Sequence, residues 1–257
     1  MMKKRLFLAL LPLLFSCKDG KDSINKLPDP FNGQDKLAGI DTLHLYDKVL
    51  KIDTLVFEKL MKLKIADKVL AVALKTGFTK DSIEITSCRL DFYFKNKLIQ
   101  CIPVETYTSH EDAIWSLYED VFTNKKSKNS DNRFFEISYG VAACGFAQSN
   151  FLFFVENKDF QLVSKYDSVG DGPYGDYFDF EPYFVGNKIL YFNSKRVVVD
   201  TDESKPYNDE NEDLVITFSD STLYKLNYGK WSSELKTPKG KPYRKELKTY
   251  KELYPPE

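Results

Sequence analysis

Short aromatic and β-branched runs, separated by turn-forming pairs, fill the second half of the chain and constrain its fold more than any other feature. Runs of this composition favour strands, and pairs such as Asn157-Lys158 and Gly186-Asn187 favour tight turns. Strands joined in this way predict an antiparallel β-meander, arranged as a sheet, a sandwich or a propeller. The runs are 134–139, 149–155, 160–166, 188–192, 196–199, 213–218 and 222–228.

The first half of the chain mixes strand and helix patterns. Residues 82–104 alternate apolar and polar side chains about a turn near Lys95-Asn96, which predicts a hairpin. Apolar spacing predicts a helix to about residue 66, followed by a strand to about residue 74, and a second helix over 110–122. A proline opens a further apolar stripe over 242–254, which predicts a helix. We therefore expect an α+β fold with a few helices, mainly in the N-terminal half.

Composition limits the classes of function. The chain has 37 Lys and Arg against 38 Asp and Glu, so it lacks the strong positive charge that nucleic-acid binding requires. It has two histidines and no glycine-rich phosphate motif, which leaves few groups for histidine-based catalysis or metal binding. We therefore expect no cofactor and no nucleic-acid partner, and catalysis is left open.

The first 17 residues have the organisation of an export signal. Basic residues precede an apolar run from Leu6 to Phe15, which is too short to cross a bilayer as a helix. Residues 1–16 are therefore interpreted as a cleaved signal peptide. The ending Leu14-Phe15-Ser16-Cys17 resembles the lipobox of bacterial lipoproteins.

That resemblance implies cleavage before Cys17, acylation of its sulfur and new amino group, for example with palmitate, and anchoring to a membrane of the cell envelope. Lys18 followed by Asp19 is similar to signals that send lipoproteins to the cell surface, which favours the outer membrane. The polar, Pro- and Gly-containing residues 17–40 are expected to form a flexible tether. Residues 41–257 then form one globular domain, or two divided near 123–133.

Three cysteines follow Cys17. Cys88 and Cys101 lie on the two strands of the expected hairpin, and a disulfide can persist outside the cytoplasm. A two-residue turn at Lys95-Asn96 would place Cys101 opposite Leu90 instead of Cys88. The alternative is that Cys88, Cys101 and Cys144 are small buried apolar residues.

One candidate cation site begins at residue 167. Asp167 and Asp171 resemble the start of a calcium-binding loop, but Val169 and Phe178 occupy two positions where ligands are required. A tight acidic turn is the alternative interpretation.

Residues 174–184 are the main candidate for ligand binding. Aromatic and acidic side chains alternate there in a segment that contains Gly and Pro, which suits a loop that contacts sugar rings or peptide side chains. The alternative is a strand whose aromatics face the core. The candidate binding residues are Tyr174, Asp176, Tyr177, Asp179, Glu181 and Tyr183.

These observations lead to three hypotheses of function. The first is an envelope-anchored lipoprotein with a non-catalytic recognition or structural role, whose partner is a glycan, a peptide or a protein. The second is a carboxylate-dependent hydrolase of an envelope or extracellular polymer. The third is a lipoprotein that neutralises a toxin through a protein interface. The first predicts exposed aromatic side chains over 174–184.

Overall fold

The computed structural model describes residues 49–107, 113–124, 129–141, 145, 147–172, 174–202 and 213–253. All of them belong to the unit Asp41–Glu257. Two one-turn helices occur among these residues, α1 (Lys59–Lys62) and α2 (Tyr250–Leu253). The strands are β1 (Lys51–Val56), β2 (Lys68–Phe78), β3 (Glu84–Phe94), β4 (Lys97–Tyr107), β5 (Ile114–Tyr118), β6 (Thr123–Asn124), β7 (Asn129–Ser130), β8 (Phe134–Gly140), β9 (Gln148–Glu156), β10 (Asp159–Asp171), β11 (Tyr174–Val185), β12 (Lys188–Thr201), β13 (Asp213–Asn227), β14 (Lys230–Leu235) and β15 (Arg244–Thr249).

Two antiparallel sheets contain most of these strands. The first sheet has the order β1-β2-β3-β4. The second has the order β14-β13-β12-β11-β10-β9-β8-β5, and β15 also pairs with β13. Most neighbouring strands are consecutive in the chain, so the predicted antiparallel β-meander with few helices is confirmed.

Strands β8 and β9 are buried on both faces because they form a middle layer. Phe135 and Phe153 pack on one side against Phe92 of the first sheet. On the other side, Phe134 packs against Phe192 of β12, because the second sheet folds back over itself. The apolar run 151–155 suits this position, since a strand with two buried faces needs no polar alternation.

Strand β10 connects the middle layer to an outer layer formed by β11 to β15. Residues 159–168 of β10 pair with β9, and residues 169–171 pair with β11. The side chain of Gln161 donates a hydrogen bond to the carbonyl of Gly229 (2.6 Å) and accepts one from the backbone N–H of Trp231 (3.2 Å). These two bonds attach the turn between β13 and β14 to β10.

The predicted hairpin at 82–104 is present as β3 and β4, and its turn residues Lys95 and Asn96 have positive φ. A bulge between residues 92 and 93 shifts the register, so Cys101 lies opposite Asp91. Cys88 lies opposite Val104, three positions away and on the other face of the sheet. This geometry does not allow the Cys88–Cys101 disulfide considered above. Burial instead raises the pKa of the free Cys88 thiol to about 11.

The helix predicted over 110–122 is wrong. Residues 114–118 form the edge strand β5, which pairs with β8. Trp115 and Leu117 point into the core, whereas Ile114 and Tyr118 are exposed. The helical spacing of Ile114, Leu117 and Tyr118 therefore did not reflect one buried face, and strand pairing overrides it.

The segment after β5 holds the first helix in place. The carboxylate of Glu119 accepts hydrogen bonds from the backbone N–H groups of Glu58 (2.7 Å), Lys59 (3.0 Å) and Leu60 (3.0 Å). The helix predicted to residue 66 ends early, because Lys64 adopts a left-handed conformation with φ of 57°.

The helix predicted over 242–254 is also largely wrong. Residues 244–249 form β15, which pairs with the first half of β13, and α2 follows for a single turn. Strand β14 pairs only with residues 222–227 of β13, so residues 213–218 of β13 are available to pair with β15.

Candidate functional site

Cys17 and the segments 1–16 and 17–40 lie outside the described residues, so lipidation stays a prediction. In the part of the chain that the structure describes, no helix is long and apolar enough to cross a membrane.

The candidate binding segment 174–184 is a strand, β11, and not a loop. Strand alternation divides its side chains between two faces. Phe180 and Phe184 pack into the core between the middle and outer layers. Tyr177, Asp179, Glu181 and Tyr183 occupy the opposite face, which remains accessible to solvent. Asp176 shares the phenylalanine face by alternation, whereas Tyr174, at the start of β11, packs against the buried cluster of Val197, Val199, Leu214 and Ile216. Four of the six predicted residues therefore lie together.

The neighbouring strand β12 supplies a partner for each of these four residues. Tyr183 lies opposite Tyr191, Glu181 opposite Asn193, Asp179 opposite Lys195, and Tyr177 opposite Val197. Val197 is buried, and we call the other seven paired residues on this face the β11–β12 ladder: Tyr177, Asp179, Glu181, Tyr183, Tyr191, Asn193 and Lys195.

An exposed aromatic pair forms one end of the ladder. The rings of Tyr183 and Tyr191 stack with centroids 4.6 Å apart and an interplanar angle of 11°. Tyr183 is 52% exposed and Tyr191 is 37% exposed. Aromatic side chains held rigidly at a surface provide large contact areas at low entropic cost.

An ion-pair cluster forms the centre of the ladder. The ammonium of Lys195 is 3.1 Å from Asp179 Oδ2 and also contacts Glu181. Partial burial opposes the charge of Lys195, but hydrogen bonds to Glu181 and Asp179 outweigh this effect and raise its pKa. Both carboxylates therefore bind one cation, which differs from the separate acid and base of a glycosidase.

A cavity of about 290 Å³ lies beside this cluster. The ring of Phe218 contributes to its lining, with the Lys195 ammonium 5.6 Å and the Arg244 guanidinium 5.1 Å from the ring centroid. Asn193, Ser221 and Tyr243 also line it. The cavity thus presents hydrogen-bond donors, acceptors and an aromatic surface, which suits a polar ligand such as a saccharide or a peptide.

The remaining predicted residues have structural partners. Arg196 binds Asp176 through two hydrogen bonds, one of 2.8 Å to Oδ1. Asp167 accepts hydrogen bonds from Tyr107 (3.1 Å) and Ser149 (3.2 Å). Asp167 and Asp171 lie within the continuous strand β10, so the calcium-loop interpretation is wrong. Among the described residues there is no group of three potential metal ligands.

The sequence interpretation missed Tyr191, Asn193, Lys195 and Arg244. The turn at Gly186-Asn187 was predicted, and the φ of 62° at Gly186 suits a tight hairpin turn. A two-residue turn alone would pair Tyr183 with Leu190. A bulge between Tyr183 and Phe184 shifts the register by one residue and brings Tyr191 opposite Tyr183.

A half-buried carboxyl group lies behind the ladder. Glu136 of β8 accepts a hydrogen bond from the hydroxyl of Tyr166, whose ring packs against Phe178 and Phe180 of β11. Burial raises the pKa of Glu136, and the hydrogen bond from Tyr166 only partly offsets this effect.

The raised pKa of Glu136 predicts a pH-dependent effect of Glu136→Gln. The folded protein holds the proton more tightly than the unfolded chain, so this group's stabilising contribution is lost as the pH rises from about 4.5 through the folded pKa. The free energy of unfolding of Glu136→Gln, measured relative to the wild type, should therefore be higher at pH 7 than at pH 4. Urea unfolding at both pH values checks this, with Glu105→Gln, on the exposed side of β4, as the charge control. An equal difference at both pH values would contradict it.

Comparison with known protein families, characterised proteins and solved structures finds no match for this chain.

Proposed function

We propose that this protein is an envelope-anchored lipoprotein that recognises an extracytoplasmic ligand without chemical conversion, through the β11–β12 ladder. The anchor is inferred from residues 1–17, where a basic start and a short apolar run end in a lipobox-like Cys17. Acylation with two chains or more gives stable attachment to a membrane. The proposed location is the outer membrane.

The observation that carries the recognition role is the composition and exposure of the ladder. Stacked, exposed Tyr183 and Tyr191 lie next to the charged groups of Glu181 and Lys195 on one accessible sheet face. Exposed aromatic pairs with adjacent hydrogen-bonding groups are typical of recognition surfaces for glycans and peptides. The salt-bridged state of both carboxylates favours binding over hydrolysis.

The test is a binding screen on glycan and peptide arrays. The chain from residue 17 carries Cys17→Ser, so that no lipid interferes. The double variant Tyr183→Ala/Tyr191→Ala should weaken binding to the best ligand by at least about tenfold, because it removes both aromatic contact surfaces. The matched control is Phe78→Ala/Tyr118→Ala, which removes two exposed aromatics away from the ladder.

Two outcomes would overturn the proposal. Equal binding by the wild type and the tyrosine double variant would exclude the ladder as the recognition surface. Cleavage of the bound ligand by the wild type would exclude a non-catalytic role and would favour the hydrolase alternative.

A further inference from the structure

Positive charge is concentrated near the C-terminal end of the chain. Residues 236–251 contain seven Lys and Arg and a single acid, Glu246, although the whole chain has a formal net charge of −1. The structure places this segment at the edge of the outer layer, where β15 pairs with β13 on one side only.

Four of these cations have no acidic partner among the described residues. Arg244 and Lys248 both contact Glu246, and Lys236 contacts Glu234. The other four, which are exposed and which we call the cationic edge, are Lys239, Lys241, Lys245 and Lys251. Because no described acid pairs with them, the four lysines give this edge a local excess of positive charge among the described residues.

The cationic edge is associated with an exposed aliphatic side chain. Lys245 lies opposite Thr217 and Leu247 lies opposite Val215, so Lys245 and Leu247 share one face of the outer layer. Leu247 is 63% exposed. The same face has a shallow cavity of about 600 Å³, lined by Lys245 and by Gly240 and Pro242, which flank Lys241.

This face is the reverse of the one that carries the ladder. Thr217, which shares a face with Lys245, lies opposite Val198 of β12. Val197, the next residue, shares a face with Tyr177 of the ladder. Adjacent residues of a strand point to opposite sides, so Lys245 and the ladder lie on opposite faces of the outer layer.

We propose that the cationic edge docks on the anionic headgroups of the membrane to which the lipid anchors the protein. Lysines near an anionic surface contribute about 1 kcal/mol each, and an aliphatic side chain among them adds contact with the interface. The proposal rests on the proposed anchoring, which keeps a membrane at high effective concentration. Docking through this edge turns the ladder away from the membrane and towards its ligand.

Charge complementarity favours an anionic lipid surface as the partner of the cationic edge. The same lysines have a second physical role, and the test must distinguish it from lipid binding. Lysines on an edge strand also oppose edge-to-edge aggregation. Substitution with glutamate keeps the edge charged and protected but reverses the sign, so it affects only binding to an anionic partner. The acids Asp200 and Asp202 also line the cavity and are left unchanged in the test.

The experiment measures sedimentation of the chain from residue 17 with vesicles, again with Cys17→Ser so that binding does not depend on acylation. The vesicles contain phosphatidylcholine with either no phosphatidylglycerol or 40 mol% of it, a composition of roughly physiological anionic charge. The test variant is Lys239→Glu/Lys241→Glu/Lys245→Glu/Lys251→Glu. The matched control makes the same change of charge at exposed lysines elsewhere, as Lys62→Glu/Lys75→Glu/Lys80→Glu/Lys97→Glu.

The wild type and the control should bind only the anionic vesicles, more weakly at high salt, and the test variant should bind on the order of 100-fold more weakly. Equal loss in both quadruple variants, or wild-type binding to neutral vesicles, would overturn the proposal. Binding to a soluble polyanion such as dextran sulfate, without binding to vesicles, would assign the edge to a polymer instead. A negative result would not bear on the proposed acylation of Cys17, because every sample carries Cys17→Ser.

Discussion

Replacing Phe92 by alanine should lower the free energy of unfolding by about 3–5 kcal/mol. Phe92 is fully buried on β3 and joins the first sheet to the second. Its ring stacks on Phe160 at 4.2 Å and packs edge-on against Phe135 and Phe153. The substitution leaves a cavity between the two sheets, where the surrounding strands cannot close without losing their register.

Chemical denaturation of Phe92→Ala and of a matched control checks this prediction. Phe78→Ala removes the same side chain from an exposed position at the end of β2, where it is 72% exposed. We expect a change within about 0.5 kcal/mol for the control. A loss below about 1 kcal/mol for Phe92→Ala would contradict the packing of the first sheet on the middle layer.

Replacing Asp131 by alanine should also cost about 3–5 kcal/mol, for an electrostatic reason. The buried carboxylate of Asp131 accepts hydrogen bonds from Arg133 Nε (2.8 Å) and Nη2 (2.6 Å), and from the backbone N–H of Ile189 (2.8 Å). Its removal leaves the Arg133 guanidinium, which packs on Phe154, with Glu156 as its one remaining acidic partner among the described residues. It also leaves a buried N–H without an acceptor at the start of β12.

The matched control for Asp131→Ala is Asp159→Ala. Asp159 forms an ion pair with Lys230 at 2.7 Å, with both side chains largely exposed, so its loss should cost at most about 1 kcal/mol. Thermal unfolding of both variants distinguishes the buried pair from the exposed one. Equal shifts in melting temperature would contradict the assigned role of Asp131.

The tight turns of the fold were the most predictable part of the structure. The pairs Asn157-Lys158 and Tyr228-Gly229 both adopt positive φ, as hairpin turns require. Asn193-Ser194 also has a turn-forming composition but lies within the continuous strand β12. The polar side chain of Asn193 suits a strand because it faces solvent on the ladder, whereas Ser194 is buried, so composition alone does not separate this pair from a turn.

Sequence patterns predicted helices at two places where the structure has edge strands, because the apolar residues of these strands also fit helical spacing. Ile114, Leu117 and Tyr118 satisfy helical spacing, yet pairing with β8 decides their structure. The same applies to 244–249, where the backbone of β13 offers unpaired groups to the tail. Both outcomes depend on partners distant in sequence, which local spacing does not encode.

The candidate site was predictable in composition but not in arrangement. Residues 174–184 contain the aromatic and acidic groups of the ladder, and the sequence places them on one strand or loop. Their separation into two faces follows from strand geometry, and the addition of Tyr191 depends on a bulge that no local signal marks. The partners Lys195 and Arg244 come from β12 and β15, which lie near each other because both strands pair with β13.

Metabolic labelling with palmitate tests the central claim, that this is a lipid-anchored recognition protein of the envelope, most directly. Cells producing the wild type are compared with cells producing Cys17→Ala, followed by fractionation and treatment of intact cells with protease. We expect palmitate on the wild type only, recovery of that protein with the outer membrane, and its removal by the protease. Absence of label from both proteins, with the wild type released in soluble form, would contradict this claim.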